Sequence, residues 1–201
     1  MLTASALSCV RGERPLFAGL DLAVAAGEWL HVQGENGAGK TSLLRILAGL
    51  SPPAAGEIRW QGEPIRVLAE EYRRHLLFLG HHGAVKEDLT PLENLTLAAQ
   101  LDGMPLGTAD ALAALARFGL RGREDLAVRF LSAGQKRRVL LARLAVRKAT
   151  LWILDEPFTA LDLAKAIAAL PLESDPGSAW RYSRSTDVLG AVLEIASGKK
   201  L

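Results

Sequence analysis

The sequence predicts an α/β fold: one domain built around a glycine-rich loop, with a helical segment inserted into it. Three observations predict it. Gly34-Glu35-Asn36-Gly37-Ala38-Gly39-Lys40-Thr41 fits G-x-x-x-x-G-K-[ST] at every fixed position. Glu28-Trp29-Leu30-His31-Val32-Gln33 before it is apolar enough for a buried strand, and Leu43, Leu44, Ile46, Leu47 and Leu50 after it fall at helical spacing. A second apolar run, Leu151-Trp152-Ile153-Leu154, ends in the acids Asp155 and Glu156. At 201 residues the chain can bury one sizeable core.

Strand, loop and helix together specify a chemistry. Glycines let the backbone wrap closely, so that successive N–H groups point inward at phosphate oxygens. The helix N-terminus adds its dipole and its unpaired N–H groups to the same anion site. Lys40 is placed to reach the β- and γ-phosphates, and the Thr41 hydroxyl to ligate Mg²⁺. Gly34 to Ser42 therefore reads as the cradle of a nucleoside triphosphate. A turn that bound nothing would not need the lysine and threonine in these places.

Composition narrows the function classes. Charges interrupt every apolar run before the roughly 18 residues of a spanning helix, and no basic N-terminal region precedes an apolar one. The single Cys9 excludes an internal disulfide and fits a reducing compartment. A net charge of +2 is too small to argue for nucleic acid. The expectation is a cytoplasmic chain, with a peripheral seat on membrane proteins left open.

Taken in order, Leu2 to Val10 reads as a strand, followed by the turn Arg11-Gly12-Glu13-Arg14-Pro15. Leu20, Leu22 and Val24 alternate with polar or small residues, the period of a half-buried strand. Ala26-Gly27 turns the chain into the loop's strand. Ser51-Pro52-Pro53 ends the loop's helix, Glu57 to Trp60 is a short strand closed by Gln61-Gly62, and Leu76 to Leu79 suits a central strand. From about Thr90 to Lys148 the pattern turns helical. Thr90-Pro91-Leu92-Glu93 supplies an N-cap, Pro at the first helical position and the glutamate of a capping box. Asp102-Gly103-Met104-Pro105 ends that helix, and Ala109 to Phe118 forms another.

Leu131-Ser132-Ala133-Gly134-Gln135 then opens a helix with Ser132 as N-cap, and the small residues after it leave the first N–H groups accessible. That is a second phosphate-binding helix end. Lys136, Arg137, Arg138, Arg143, Arg147 and Lys148 follow with no acid among them, and the run reads as a solvated face. No aromatics interleave with these charges, as nucleic-acid binding would want. At the acidic end of the second apolar run, Asp155 is suited to hold Mg²⁺ and Glu156 to polarise the attacking water. Ala160-Leu161-Asp162 follows, close enough for Asp162 to meet a partner across a nucleotide interface.

In this order the motifs resemble the ATP-binding subunits of ABC transporters: Walker A at 34–41, an LSGGQ-like signature at 131–135, Walker B at 151–155, Glu156 and a D-loop at 160–162. The resemblance implies a P-loop NTPase fold with a RecA-like core, a small antiparallel β subdomain and an inserted helical subdomain. It divides the chain into core and β subdomain at 1–89 and 149–162, helical subdomain at 90–148 and an atypical tail at 163–201. It also implies a head-to-tail homodimer closing on two ATP molecules with Mg²⁺. Ser132, Ala133, Gly134 and Gln135 of one copy would then meet the γ-phosphate held by the other. Closure would drive integral membrane subunits, and no nucleic acid is involved.

A narrower resemblance rests on Ala26-Gly27-Glu28-Trp29, Trp60-Gln61-Gly62, Leu79-Gly80-His81, Leu89 to Leu95, the alanine-bearing signature and Leu151 to Ala160. These are similar to the ATP-binding subunit of the haem exporter of cytochrome c biogenesis. The similarity covers roughly residues 1 to 162 and implies a peripheral place on the cytoplasmic face of a bacterial inner membrane.

Three departures stand out. Arg11-Gly12 occupies the place of the aromatic that stacks on adenine, leaving Arg11 or Phe17 for that contact. His82 stands where the Q-loop glutamine is expected. The pair His81-His82 has no ligand cluster around it and reads as loop histidines rather than a haem or metal site. From Leu163 onward the likeness stops, and no histidine follows the acidic strand to contact the γ-phosphate. Residues 163–201 read as a divergent or out-of-frame replacement, with Val188 to Ile195 as one strand or helix and a core lacking a central strand. This expectation leaves an alternative to the exporter ATPase: a nucleotide-gated module that binds ATP and scarcely hydrolyses it.

Overall fold

The structure, a computed structural model, describes residues 1–80, 85–157 and the backbone of 192–194. Two compact units divide the chain: residues 1–81, 149–156 and 185–199, and residues 82–148, 157–184 and 200–201.

In the first unit, β1 (Leu2–Arg11) and β2 (Arg14–Val24) form an antiparallel hairpin, with Leu2 opposite Val24 and Arg11 opposite Arg14. Gly12 turns it with a φ of 62°. β3 (Trp29–His31) leads into the loop and α1 (Lys40–Leu47). β4 (Ala55–Trp60) pairs with β1 on one side and with β5 (Glu63–Pro64) on the other, so the first sheet runs β2-β1-β4-β5. α2 (Ala69–His75) leads into β6 (Leu76–Leu79). β7 (Leu151–Leu154) lies parallel to β6, and β8 (Val192–Glu194) lies antiparallel to both β7 and β3. The second sheet therefore runs β3-β8-β7-β6.

The core of this unit lies between the sheets and α1. Leu43, Leu44, Ile46 and Leu47 bury one face of α1 among Leu2, Ile58, Leu151 and Ile153. Buried Tyr72 on α2 donates its hydroxyl to the Leu47 carbonyl at 2.7 Å. Burial, which penalises the phenolate, raises its pKa beyond the ordinary tyrosine range.

Several expectations are corrected here. The strand before the loop is an edge strand of three residues; Trp29 is 47% exposed, since only β8 pairs with β3 among the described strands. Leu50 lies beyond α1 and is exposed, because Gly49, at φ 68°, ends the helical spacing. β6 borders β7 alone and is not central among the described strands, although Leu76, Leu77 and Leu79 are buried. The core does not lack a strand between β3 and β7. β8, from the tail, fills that place.

In the second unit, α3 (Pro91–Leu101), α4 (Thr108–Arg117) and α5 (Ala133–Val146) pack on one another. Thr90 closes the expected capping box: its hydroxyl accepts from Glu93 N at 3.1 Å and its N–H donates to Glu93 at 2.8 Å. Buried Asn94 accepts from Lys86 N at 2.7 Å and donates to Lys86 O at 2.9 Å, which ties the preceding loop to α3.

The basic run on α5 is not a solvated face. Arg137 is buried, and Arg143 and Arg147 both reach Asp102 at the end of α3, Arg143 at 3.7 Å. Lys136 pairs with Glu87 at 2.7 Å. The acids absent from the helix come from other elements. Burial lowers the Arg143 pKa, Asp102 raises it again, and the charge on Arg147 lowers it.

Gly56, at φ 89°, sits where a Cβ would lie 2.5 Å from the carbonyl oxygens of Ser5 and Ala6. Gly62, at φ 92°, has nothing within 4 Å of the same position. Gly56→Ala should therefore cost on the order of 2–4 kcal/mol, strain plus steric overlap, while Gly62→Ala costs only about 1 kcal/mol. Urea unfolding of both variants checks the difference.

Candidate nucleotide-binding site

β3 and β7 are each antiparallel to β8, so they run in the same direction. Trp29 and Trp152 both oppose Glu194, and Leu30 and Ile153 both oppose Leu193. The two strands thus stand level, about 10 Å apart at the usual strand spacing. Their C-terminal ends leave the same edge of the sheet, one into Gly34 to Thr41 and the other into Asp155 and Glu156. The carboxyl edge of strands in such sheets is where ligands bind.

The loop is held in shape by its own lysine. Lys40 Nζ donates to the carbonyls of Gly34 at 2.7 Å and Glu35 at 3.0 Å, and Ala38 N–H donates to Glu35 O at 3.1 Å. Gly39 caps α1 at φ 98° with no side-chain capping bond and no acid in the first turn. The first intrahelical bond is Leu43 N–H to Gly39 O at 2.8 Å. The N–H groups of Lys40, Thr41 and Ser42 come before it and have no acceptor within the helix. A Cβ on Gly39 would lie 3.0 Å from Leu16 Cβ and 3.4 Å from Phe17 Cδ1.

This cradle offers N–H groups and an ammonium, the donor set a polyphosphate requires. Gly34, Glu35, Asn36, Gly37, Ala38 and Thr41 are exposed, and Ser42 is half-buried. Mg²⁺ prefers hard oxygen ligands with one or two carboxylates, and the Thr41 hydroxyl and the Asp155 carboxylate are of that kind. Asp155 is 2% exposed, and its N–H donates to Leu79 O at 2.8 Å, which ties it to β6. Half-buried Glu156 has a φ of 49°, a left-handed backbone that a residue with a Cβ adopts only under constraint. Among the described residues no group of three or more His, Cys, Asp or Glu gathers to hold a metal.

In the second unit, the N-terminus of α5 forms its own capping box. Ser132 Oγ accepts from Gln135 N at 3.2 Å, and Ser132 N–H donates to Gln135 Oε1 at 2.9 Å. Ser132 is the N-cap, as its place in the sequence indicates, and the box takes the Gln135 N–H. Ala133 and Gly134 N–H keep no acceptor within the helix. The S-x-x-Q spacing that makes this box was visible in the sequence.

The structure brings the loop to the same sheet edge as Asp155 and Glu156. Arg11 is exposed at the end of β1, and Phe17 lies half-buried beside Gly39. His81, His82 and Asp162 lie outside the described residues, as does most of the tail. Sequence reasoning missed Leu16, whose approach to Gly39 comes from hairpin packing and leaves no local signal. It also missed the buried role of Arg137, whose Nε donates to Pro157 O at 2.8 Å.

The ABC transporter family model matches residues 17–159. The cytochrome c biogenesis ATP-binding export protein CcmA of Dechloromonas aromatica is 61% identical over 164 residues, 82% of this chain and 80% of that protein. The protein of the same name from Escherichia coli K12 is 55% identical over 163 residues, 81% of this chain and 77% of its own. A solved ATP-binding subunit of an ABC transporter superposes with a TM-score of 0.72 at 29% identity, covering 84% of this chain and 71% of that one.

Gly39→Ala should weaken ATP binding about tenfold or more, because the strained position and Leu16 together displace the loop. Equilibrium titration with ATP reads this. Ser132→Ala should cost about 1 kcal/mol through the lost cap, read in urea unfolding.

Proposed function

We propose that this chain, which belongs to the ABC transporter family, is the ATP-binding and ATP-hydrolysing subunit of a membrane exporter of cytochrome c biogenesis. The relatives named as export proteins of that process support it. The observation that carries it is the shared sheet edge, where the loop and the Asp155-Glu156 pair emerge from parallel strands.

On this reading the cradle from Gly34 to Ser42 binds the triphosphate of ATP. Lys40 exchanges the carbonyls of Gly34 and Glu35 for β- and γ-phosphate oxygens. Thr41 and Asp155 would hold Mg²⁺, which would neutralise charge on those phosphates. Glu156 accepts a hydrogen bond from the attacking water and orients it for in-line displacement. Two copies pair head to tail, and Ser132, Ala133, Gly134 and Gln135 of one meet the γ-phosphate bound by the other. The N–H groups of Ala133 and Gly134, which have no acceptor within the helix, suit that contact.

Residues 90–148 act as the helical subdomain, and residues 1–89 with 149–162 as core and β subdomain. No helix among the described residues is long and apolar enough to cross a membrane. The chain works as a peripheral subunit on the cytoplasmic face of the inner membrane, driving integral membrane subunits. The narrower sequence resemblance supports haem as the cargo and the chemistry of a haem-transporting ATPase.

The purified chain should release phosphate from Mg-ATP above a Lys40→Ala blank, and Glu156→Gln should lower that rate about 100-fold while ATP still binds. ATP binding with no release would replace the hydrolytic reading with a nucleotide-gated module. Co-purification with membrane subunits, and not with nucleic acid, checks the assembly.

A further inference from the structure

Glu156 stands between two pinned neighbours. On its N-terminal side, Asp155 N–H is bonded to Leu79 O at 2.8 Å. On its C-terminal side, Pro157 is buried, its ring fixes its own φ, and its carbonyl accepts from Arg137 Nε at 2.8 Å. Between them Glu156 holds a φ of 49° without being a glycine. Such a backbone persists only where its surroundings over-determine it. Arg137 is 8% exposed and sits on α5, two residues beyond Gln135 of the capping box. The chain passes from the first compact unit to the second at the Glu156–Pro157 bond.

We propose that Arg137 is a positioning residue for Glu156, tying the carboxylate's backbone to the helix whose N-terminus meets the partner copy's nucleotide. The inference rests on the hydrolytic reading above. A guanidinium suits the task because it stays charged when buried, and a charge-assisted bond to a carbonyl is short and directional. A shift of α5 on engaging the γ-phosphate moves Pro157 O with it, and Glu156 turns toward or away from the water. Each subunit thereby links the capture of its partner's nucleotide to the readiness of its own glutamate.

The test is a double-mutant cycle on Mg-ATP-dependent phosphate release by the full chain. Arg137→Lys keeps the charge and moves the donor. It should lower kcat about tenfold or more, since small misplacements of a catalytic group are costly. KM and equilibrium ATP affinity should stay within about threefold, because the interaction serves the chemical step and not ground-state binding. In a Glu156→Gln background the same change should alter the residual rate by less than about twofold, the mark of two residues acting as one unit. Far-UV circular dichroism and urea midpoints confirm folding. If Arg137→Lys does not fold, Arg137→Gln, which keeps an N–H donor without a buried charge, takes its place. Equal losses in both backgrounds, or a rise in KM without a fall in kcat, would overturn the positioning role and leave the ATPase reading standing. A wild-type chain that binds ATP and releases no phosphate would overturn the ATPase reading, and the positioning role with it.

Discussion

The site depends on a short backbone ladder. β8 is three residues long and bonds to β3 on one edge and β7 on the other. Without it, the strand that leads into the glycine loop and the strand that ends in Asp155 share no hydrogen-bonded neighbour among the described strands. Backbone N–H and C=O groups in a core must be paired, so whichever segment takes this place sets the level and direction of both flanking strands. Here it is a segment of a tail that departs from the family pattern, and it runs antiparallel to both. Main-chain bonds carry no side-chain identity. A divergent sequence can therefore supply the backbone of this strand.

The two helix N-termini that the proposed function uses are held in different ways. α1 begins at a glycine with no capping side chain, while α5 begins at a serine and glutamine that satisfy each other. The first helix end depends on its lysine to hold the loop; the second holds itself. This difference fits their proposed duties, since the loop must release Lys40 to a ligand and the α5 end must present N–H groups from a fixed frame. The cations on α5 serve that frame. Arg143 and Arg147 fasten it to Asp102, Lys136 to Glu87 and Arg137 to Pro157.

Local rules were legible where the physics is local. The Thr90 box forms as its T-x-x-E spacing indicates, and Gly12, Gly27 and Gly62 turn the chain with positive φ. The glycine loop was readable for the same reason, since its bonds span only six residues from Lys40 to Gly34. The basic run was misread because its partners, Asp102 and Glu87, are distant along the chain. Helical spacing also continued past its true stop, and Gly49 overruled the hydrophobic period at Leu50.

The sequence by itself determined the glycine-rich loop, the two acids after an apolar strand, the signature-like segment with its N-cap and the family to which they belong. Each is a short-range pattern, fixed by residue type and spacing. Only the tertiary structure decided that β8 stands between β3 and β7, that Leu16 closes on Gly39, that Arg137 is buried against Pro157 and that Glu156 adopts a left-handed backbone. These depend on which distant segments compete for the same hydrogen bonds and the same buried volume. That competition is settled by the fold as a whole, and no window of the sequence contains it.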